Sequence, residues 1–409
     1  MKLLDIARFT LTMIGLILLL SSCGGGGSSG GSPQFTINGV AQAGVFNGAT
    51  VRIHGFDAAG MLVLLETSPA GITTDSNGRF HATVNNYTGA VVVKVFGTFR
   101  DEASGRDITI PESTPMQAAL SSVSGDINVP VTPLTDLAVR KAVENGGIRD
   151  GIASANQAIS TLFGVDIVNT IPAPPTIIAL QDSSATDSQK RYTTVLTALS
   201  QYTAAISSTP ATPTATDINS ALTQISAGIT VTGANPQVTS NQVAYNLQQA
   251  SAALTTNSNT KDIIAAAGSV ATSTLASLST TGINSGSKIL AVRLRASGNY
   301  SGIITGIQAN ITLPSGATVR TGAASGVIAA GAIAATGNAA GAMVSARISS
   351  GILTFGIISG GFTIGEFATI YCDVPASSQL TAADFSNMTN IIELNTAGAP
   401  IAGITLSSF

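Results

Sequence analysis

Two changes of hydrophobic period divide this chain and limit what it can fold into. From Phe35 to about Pro133 apolar residues alternate with polar ones in short runs, the pattern of half-buried strands. Thr50-Val51-Arg52-Ile53-His54 is one such run, and Asp57 to Gly60 supplies a turn before Met61 to Leu65. Thr74-Asp75-Ser76-Asn77-Gly78 is a strong turn signal leading into Arg79 to Val84. Val91 to Phe96 is an almost continuous β-branched run. Short strands separated by Gly, Asn and Asp turns predict a small β-sandwich over residues 35–133.

At Leu134 the period lengthens to that of a helix. Leu134, Leu137, Ala138, Lys141 and Ala142 share one face, and Thr132-Pro133 suits a helix start. Gly146-Gly147 stops this helix, Ile148 to Phe163 reads as a second, and Gly164 closes it. Pro172, Pro174 and Pro175 forbid regular structure locally. Ser188–Ser207, Ala215–Ile229, Ser240–Leu254 and Thr260–Leu278 are further helical candidates, with stripes such as Tyr192, Val195, Leu196, Leu199 and Tyr202 to bury. A compact bundle is expected over 134–281. Gly282 to Ser287 reads as a linker, and strand signals return over 288–409. There Ile289–Leu294, Ile303–Leu313, Ile348–Ile358 and Gly361–Val374 are the candidate strands. The expected fold class is multidomain α+β, two β-sandwiches separated by an α-helical bundle.

Composition narrows the chemistry. Of 409 residues, 44% are hydrophobic, so sizeable cores can form. Charged residues are only 10%, against about 25% in an average soluble protein, and the net charge is −3. With no basic stripe, nucleic acid is not an expected partner. Abundant Gly, Ala, Ser and Thr without any Trp fit an exported protein with a neutral, hydroxyl-rich surface.

The N-terminal residues carry an address. Lys2 and Arg8 precede an apolar run from Phe9 to Leu20, too short to span a bilayer comfortably and suited to a signal-peptide core. Leu20-Ser21-Ser22-Cys23 closely resembles the lipobox of bacterial lipoproteins. The resemblance implies a signal peptide over 1–22 and a mature N-terminus at Cys23, bearing a thioether-linked diacylglycerol and an amide-linked acyl chain. At about 0.8 kcal/mol per buried methylene, several chains on one residue make an effectively permanent anchor in a lipid bilayer. By resemblance to the lipoprotein sorting rule, an aspartate at position 24 would favour inner-membrane retention; Gly24 stands there instead, so an outer-membrane location is expected, facing either the periplasm or the cell surface. Gly24 to Ser32 is all glycine and serine, and 23–34 reads as lipidated Cys plus a flexible tether of roughly 15–18 Å. Lipidation of Cys23 leaves only Cys372, which excludes an intramolecular disulfide and reads as a buried strand thiol.

Two further resemblances carry fold expectations. The order of strand, D-x-x-G turn, strand and Thr74-Asp75-x-x-Gly78-x-Phe80 resembles transthyretin-like, carboxypeptidase-regulatory-type and Ig-like modules. Such a module followed by Pro133-Leu-Thr-Asp-Leu-Ala138 and a bundle looks like a recurrent architecture of bacterial surface lipoproteins. Leu313-Pro314-x-Gly316, then Gly361-Phe362-x-x-Gly365-Glu366-Phe367-Ala-Thr-Ile370, then Thr381-Ala-x-Asp384-Phe385 resembles cohesin-like and carbohydrate-binding-module sandwiches, which are nine-stranded jelly rolls. The alanine/glycine-rich stretch Val327–Ala342 departs from that pattern.

Catalytic constellations are scarce. The chain has two histidines, His54 and His81, read as lying on adjacent strands. With Asp57 they could bind a metal, but outward strand positions account for them equally well, and two ligands rarely suffice. No G-x-S-x-G, H-E-x-x-H or C-x-x-C-H occurs. Asp75 to Gly78 reads as a hairpin turn rather than a calcium loop, since no bidentate acid follows at the needed spacing. Asp101-Glu102 beside Arg100 and Arg106 reads as a solvated loop with local ion pairs. Glu366, inside an apolar strand, is expected to turn to solvent or bind a main-chain amide. Tyr300, Phe355 and Tyr371 are the aromatic side chains available to stack on a sugar, with Tyr300 and Tyr371 the possible ligand contacts. The expectation is a non-enzymatic lipoprotein without cofactor or metal, making contacts to a protein partner through its β-sandwiches. The alternative is an adhesion protein binding polysaccharide through the C-terminal one.

Overall fold

A computed structural model describes residues 34–207, 209–232, 235–322 and 324–409. The chain is a mixed α+β protein with several sheets and, among the described residues, seven α-helices.

The first region holds nine strands: β1 (Gln34–Ala41), β2 (Thr50–Phe56), β3 (Leu62–Leu64), β4 (Thr67–Ser68), β5 (Arg79–Asn85), β6 (Gly89–Arg100), β7 (Asp107–Ile110), β8 (Met116–Val123) and β9 (Ile127–Val131). One sheet runs β4-β5-β1-β9, with β1 and β9 parallel; the other runs β3-β2-β6-β7, with β8 also on β6. The alternation read from sequence decides what they bury. Phe35, Ile37, Phe80, Ala82 and Val84 of the first sheet share one core with Val51, Ile53, Val91, Val93 and Val95 of the second. Val92, pointing the other way, joins the helical core with Ala119. β6 is therefore covered on both faces, which is why its sequence is a continuous β-branched run rather than an alternation. Asp75 builds the turn before β5, its Oδ1 accepting from the Asn77 and Arg79 amides. Gly78 there has φ +75°, and a Cβ would stand 2.5 Å from the Ala41 carbonyl oxygen.

Helices follow: α1 (Pro133–Glu144), α2 (Ile148–Phe163), α3 (Ile177–Gln181), α4 (Asp187–Ile206), α5 (Ala215–Ala227), α6 (Asn241–Ala253) and α7 (Lys261–Thr280). Thr132 caps α1 in a reciprocal box with Thr135, Pro133 occupies the first turn, and the Tyr192 hydroxyl from α4 meets Thr132 Oγ1 at 2.8 Å. Tyr192, Val195, Leu196, Leu199 and Tyr202 are buried as their spacing predicts. Between α5 and α6 lies a feature not expected from sequence, the hairpin β10 (Ile229–Thr232) with β11 (Asn235–Val238). α7 is apolar enough to pass for a membrane span, yet Ile264, Ala267, Ala271, Leu275 and Leu278 are spent on the helical core and Gly268 breaks its helical geometry.

The last region contains β12 (Ser287–Gly298), β13 (Ile304–Thr312), β14 (Ile333–Ala335), β15 (Met343–Ser349), β16 (Ile352–Phe362), β17 (Gly365–Pro375), β18 (Met388–Asn395) and β19 (Ile404–Ser408). They form two four-stranded sheets, β14-β17-β12-β19 and β15-β16-β13-β18, eight strands among the described residues where the resemblance implied nine. The run Ile348–Ile358, read as one strand, reverses at Ser350-Gly351, both with positive φ, and belongs to two paired strands. Inward residues of both sheets share one core, with Phe355 and Phe367 ring centroids 6.4 Å apart across it.

Candidate functional site

Leu20, Ser21, Ser22 and Cys23 lie outside the described residues, as does the glycine tether. The two histidines do not stand on adjacent strands. His54 is on β2 and His81 on β5, in different sheets, because β3 and β4 intervene and the chain crosses between layers. His54 is half-buried, and burial, with Lys94 and Arg52 nearby, lowers its pKa; that environment favours the neutral ring and repels a cation. Among the described residues no three His, Cys, Asp or Glu side chains gather.

Asp101 and Glu102 are not a solvated loop. Both are buried, because the β6–β7 turn inserts between the first region and the helices. Asp101 Oδ1 accepts from Ser200 Oγ on α4 (2.5 Å), while its Oδ2 accepts from Ser104 N and Oγ. The Ala103 amide donates to Ser200 Oγ, and its carbonyl accepts from the side chains of Asn257 and Asn259, at 3.0 Å each. Glu102 Oε1 accepts from the Gly44 amide at 3.2 Å, and Oε2 is buried without a partner. Burial, then the charge of Asp101, pushes the Glu102 carboxyl up to about 8. The only local ion pair of the four expected residues is Arg100 with Asp107, exposed at 3.8 Å.

Glu366 is neither free in solvent nor on a main-chain amide. It forms an ion pair with Arg293 across β12 and β17 and accepts from Thr336 Oγ1 at 2.9 Å. Partial burial opposes its charge, but these bonds outweigh burial and hold its carboxyl below the usual range.

The two tyrosines part company. Tyr371 faces away from the C-terminal core, as alternation along β17 requires, but α6 covers it. Its ring lies 5.5 Å from that of Tyr245, and it belongs to the helical core with Ile289. It is 6% exposed and offers no stacking platform. Phe355 is fully buried. Tyr300 is half-buried against the C-terminal core, with its hydroxyl 3.3 Å from the Ile303 carbonyl. Beside Tyr371, Arg320 grips Asp373 with two bonds (Nε to Oδ2 2.9 Å, Nη2 to Oδ1 3.1 Å) and donates to the Gly282 carbonyl. Asn241 on α6 donates to the Tyr371 carbonyl and to Asp373 Oδ2. This junction clamps the C-terminal sheets to the helices. The Cys372 thiol is buried in β17 as read, and burial raises it to about 12.

What remains open is the outer face of β15-β16-β13-β18. Met343 pairs with Ile358, which pairs with Gly306; Ser345, Gly356, Gln308 and Ile392 form the next row. Met343 is 75% exposed, Ile358 60% and Ile392 44%. Gly306 and Gly356 add no side chains to this face, the pairing shifts register at Gly306 and again beyond Gln308, and the row below carries a single charge among its described residues, Arg347. The hydrophobic pattern places strands here but does not set their register, on which this grouping depends. A second opening, a polar cleft, lies on the outer face of β4-β5-β1-β9 and includes Asn38, His81 and Asn128.

No family model matches the chain, and no curated protein matches it. Among solved structures it is similar to a non-cellulosomal cohesin from the archaeon Archaeoglobus fulgidus, at 11% identity over 29% of this chain and 83% of that one, with a TM-score of 0.18. A 9R-lipoxygenase from Cyanothece aligns at 12% identity over 36% of this chain and 26% of its own, TM-score 0.16. The major pilin subunit of Bacillus cereus aligns at 7% identity over 92% and 67%, TM-score 0.14. These are distant likenesses and assign neither family nor activity.

Proposed function

We propose that this chain is a lipid-anchored, exported scaffold: two β-sandwiches and an intervening helical bundle, held at the outer membrane through Cys23, binding a protein partner without catalysis. The observation that carries the reading is the exposed pair Met343 and Ile358, with exposed Ile392 on the same face two strands away, on a sheet whose other side is core. Large apolar side chains exposed in a group on one face mark interaction sites. The polar groups elsewhere serve packing: Asp101, Glu366 and Asp373 are each bonded within the fold. The polysaccharide alternative through Tyr300 and Tyr371 loses Tyr371 to the helical junction.

Two measurements test the proposal. Metabolic labelling with an alkyne fatty acid should tag the chain and partition it with membranes, and Cys23→Ser should abolish both. On intact cells, chemical cross-linking should capture a discrete partner that the double variant Met343→Asp/Ile358→Asp no longer captures at unchanged expression. Unlabelled wild type, or capture indifferent to both aspartates, would refute the corresponding half.

A further inference from the structure

The first sheet carries a cleft of about 790 Å³ that the scaffold reading does not use. Its floor is a row across three strands. Asn38 on β1 pairs with His81 on β5 and with Asn128 on β9, and all three are exposed. His81 Nδ1 lies 2.8 Å from Asn38 Oδ1. The amide oxygen can only accept, so Nδ1 donates; in the neutral imidazole this leaves Nε2 as an acceptor, while the Asn38 NH2 is free to donate. Arg79, two residues along β5, adds a guanidinium without an ion pair among the described residues. Asp75 and Gln189 also line the cleft.

The rims of the cleft are built rigidly. The wall formed by the proline segment is pinned at the Ala173 carbonyl, which accepts from Gln42 Nε2 at 2.9 Å and Thr193 Oγ1 at 2.6 Å. The opposite rim is pinned by Thr74 Oγ1, which accepts from the Ala49 amide and donates to the Phe46 carbonyl. Asp75 is fixed by its own turn. The cleft is therefore preformed, and its volume lies within the roughly 300–1,000 Å³ range of small-molecule sites.

Its chemistry selects the ligand. Donors (Asn38, Asn128 and Gln189 amides, Arg79) and acceptors (Asp75, the Asn128 oxygen and Nε2 of the neutral His81 ring) line it together. One cation and one anion offset each other, so a strongly charged ligand of either sign meets a like charge. Closely spaced groups that both donate and accept are hydroxyls. We propose that this cleft binds a short neutral oligosaccharide, held by amide and imidazole hydrogen bonds with Val40 and Ile171 beneath its apolar edges.

The test uses the full detergent-solubilised chain on a broad printed glycan array, followed by titration calorimetry with the best neutral trisaccharide, an acidic trisaccharide and inorganic phosphate. The expected result is saturable binding of the neutral sugar. Asn38→Ala/Asn128→Ala should weaken it about tenfold or more, while Tyr300→Ala leaves it unchanged. Both asparagines are exposed, so the double variant should keep the wild-type thermal midpoint. Absence of neutral glycan binding overturns the proposal. So does neutral binding that survives the double variant, or binding confined to the acidic sugar or phosphate. Met343→Asp/Ile358→Asp should leave the sugar affinity intact, which separates this site from the protein-binding face.

Discussion

Burying Glu102 without a counter-ion ties folding to pH. Its pKa is near 8 in the folded chain and close to 4.5 when unfolded, so between those values the native state holds a proton that the unfolded state has released. Stability from this group is present below about pH 4.5 and is lost as pH rises through 8. At about 1.4 kcal/mol per pKa unit, a few kcal/mol are at stake. Glu102→Gln should flatten this slope: urea midpoints of wild type and variant should diverge from pH 5 to 8.5, with the variant the more stable at the alkaline end. Parallel pH profiles would mean that Glu102 ionises without penalty. Tyr371 makes the opposite point about surface chemistry. Tyr371→Ala should cost about 3–5 kcal/mol in chemical denaturation, as a buried aromatic does, rather than remove a ligand. Neither role was legible beforehand. Asp101-Glu102 sits among arginines in the sequence, and only the docking of α4 buries it; Tyr371 alternates outward, and only α6 covers it.

At the scale of elements, the Arg320–Asp373 clamp holds β17 to α6 and the Gly282 turn. Removing one partner leaves a buried charge uncompensated, so Arg320→Ala should destabilise by about 3–5 kcal/mol. If its unfolding midpoint matches wild type, the junction is not held this way. The β15–β16 turn is a smaller test: Gly351 has φ +76°, and Gly351→Ala should cost about 1 kcal/mol. Elements with strong local signals were readable. α2 occupies the very residues its spacing predicted, and Thr132-Pro133 starts α1. The β10–β11 hairpin and the Ser350-Gly351 reversal are not legible in the sequence, because short strands and tight turns inside uniform Ala/Gly/Ser/Thr sequence leave little periodic contrast.

At the scale of the whole molecule, three cores follow one another along the chain, and the helical one also takes in Val92 from the first sheets and Ile289 and Tyr371 from the last. The mixed α+β character was legible from the changes of period. The open face was not, since Met343, Ile358 and Ile392 lie in separate strands and come onto one face only through register. The central claim is that this face holds a protein partner while Cys23 holds the chain at the membrane. A photo-cross-linking amino acid at position 358 in living cells tests it most directly, with position 272 on the exposed side of α7 as the control. The account predicts one discrete covalent adduct from position 358, absent from 272 and lost with Cys23→Ser. No adduct from position 358, or the same pattern from both positions, would contradict it.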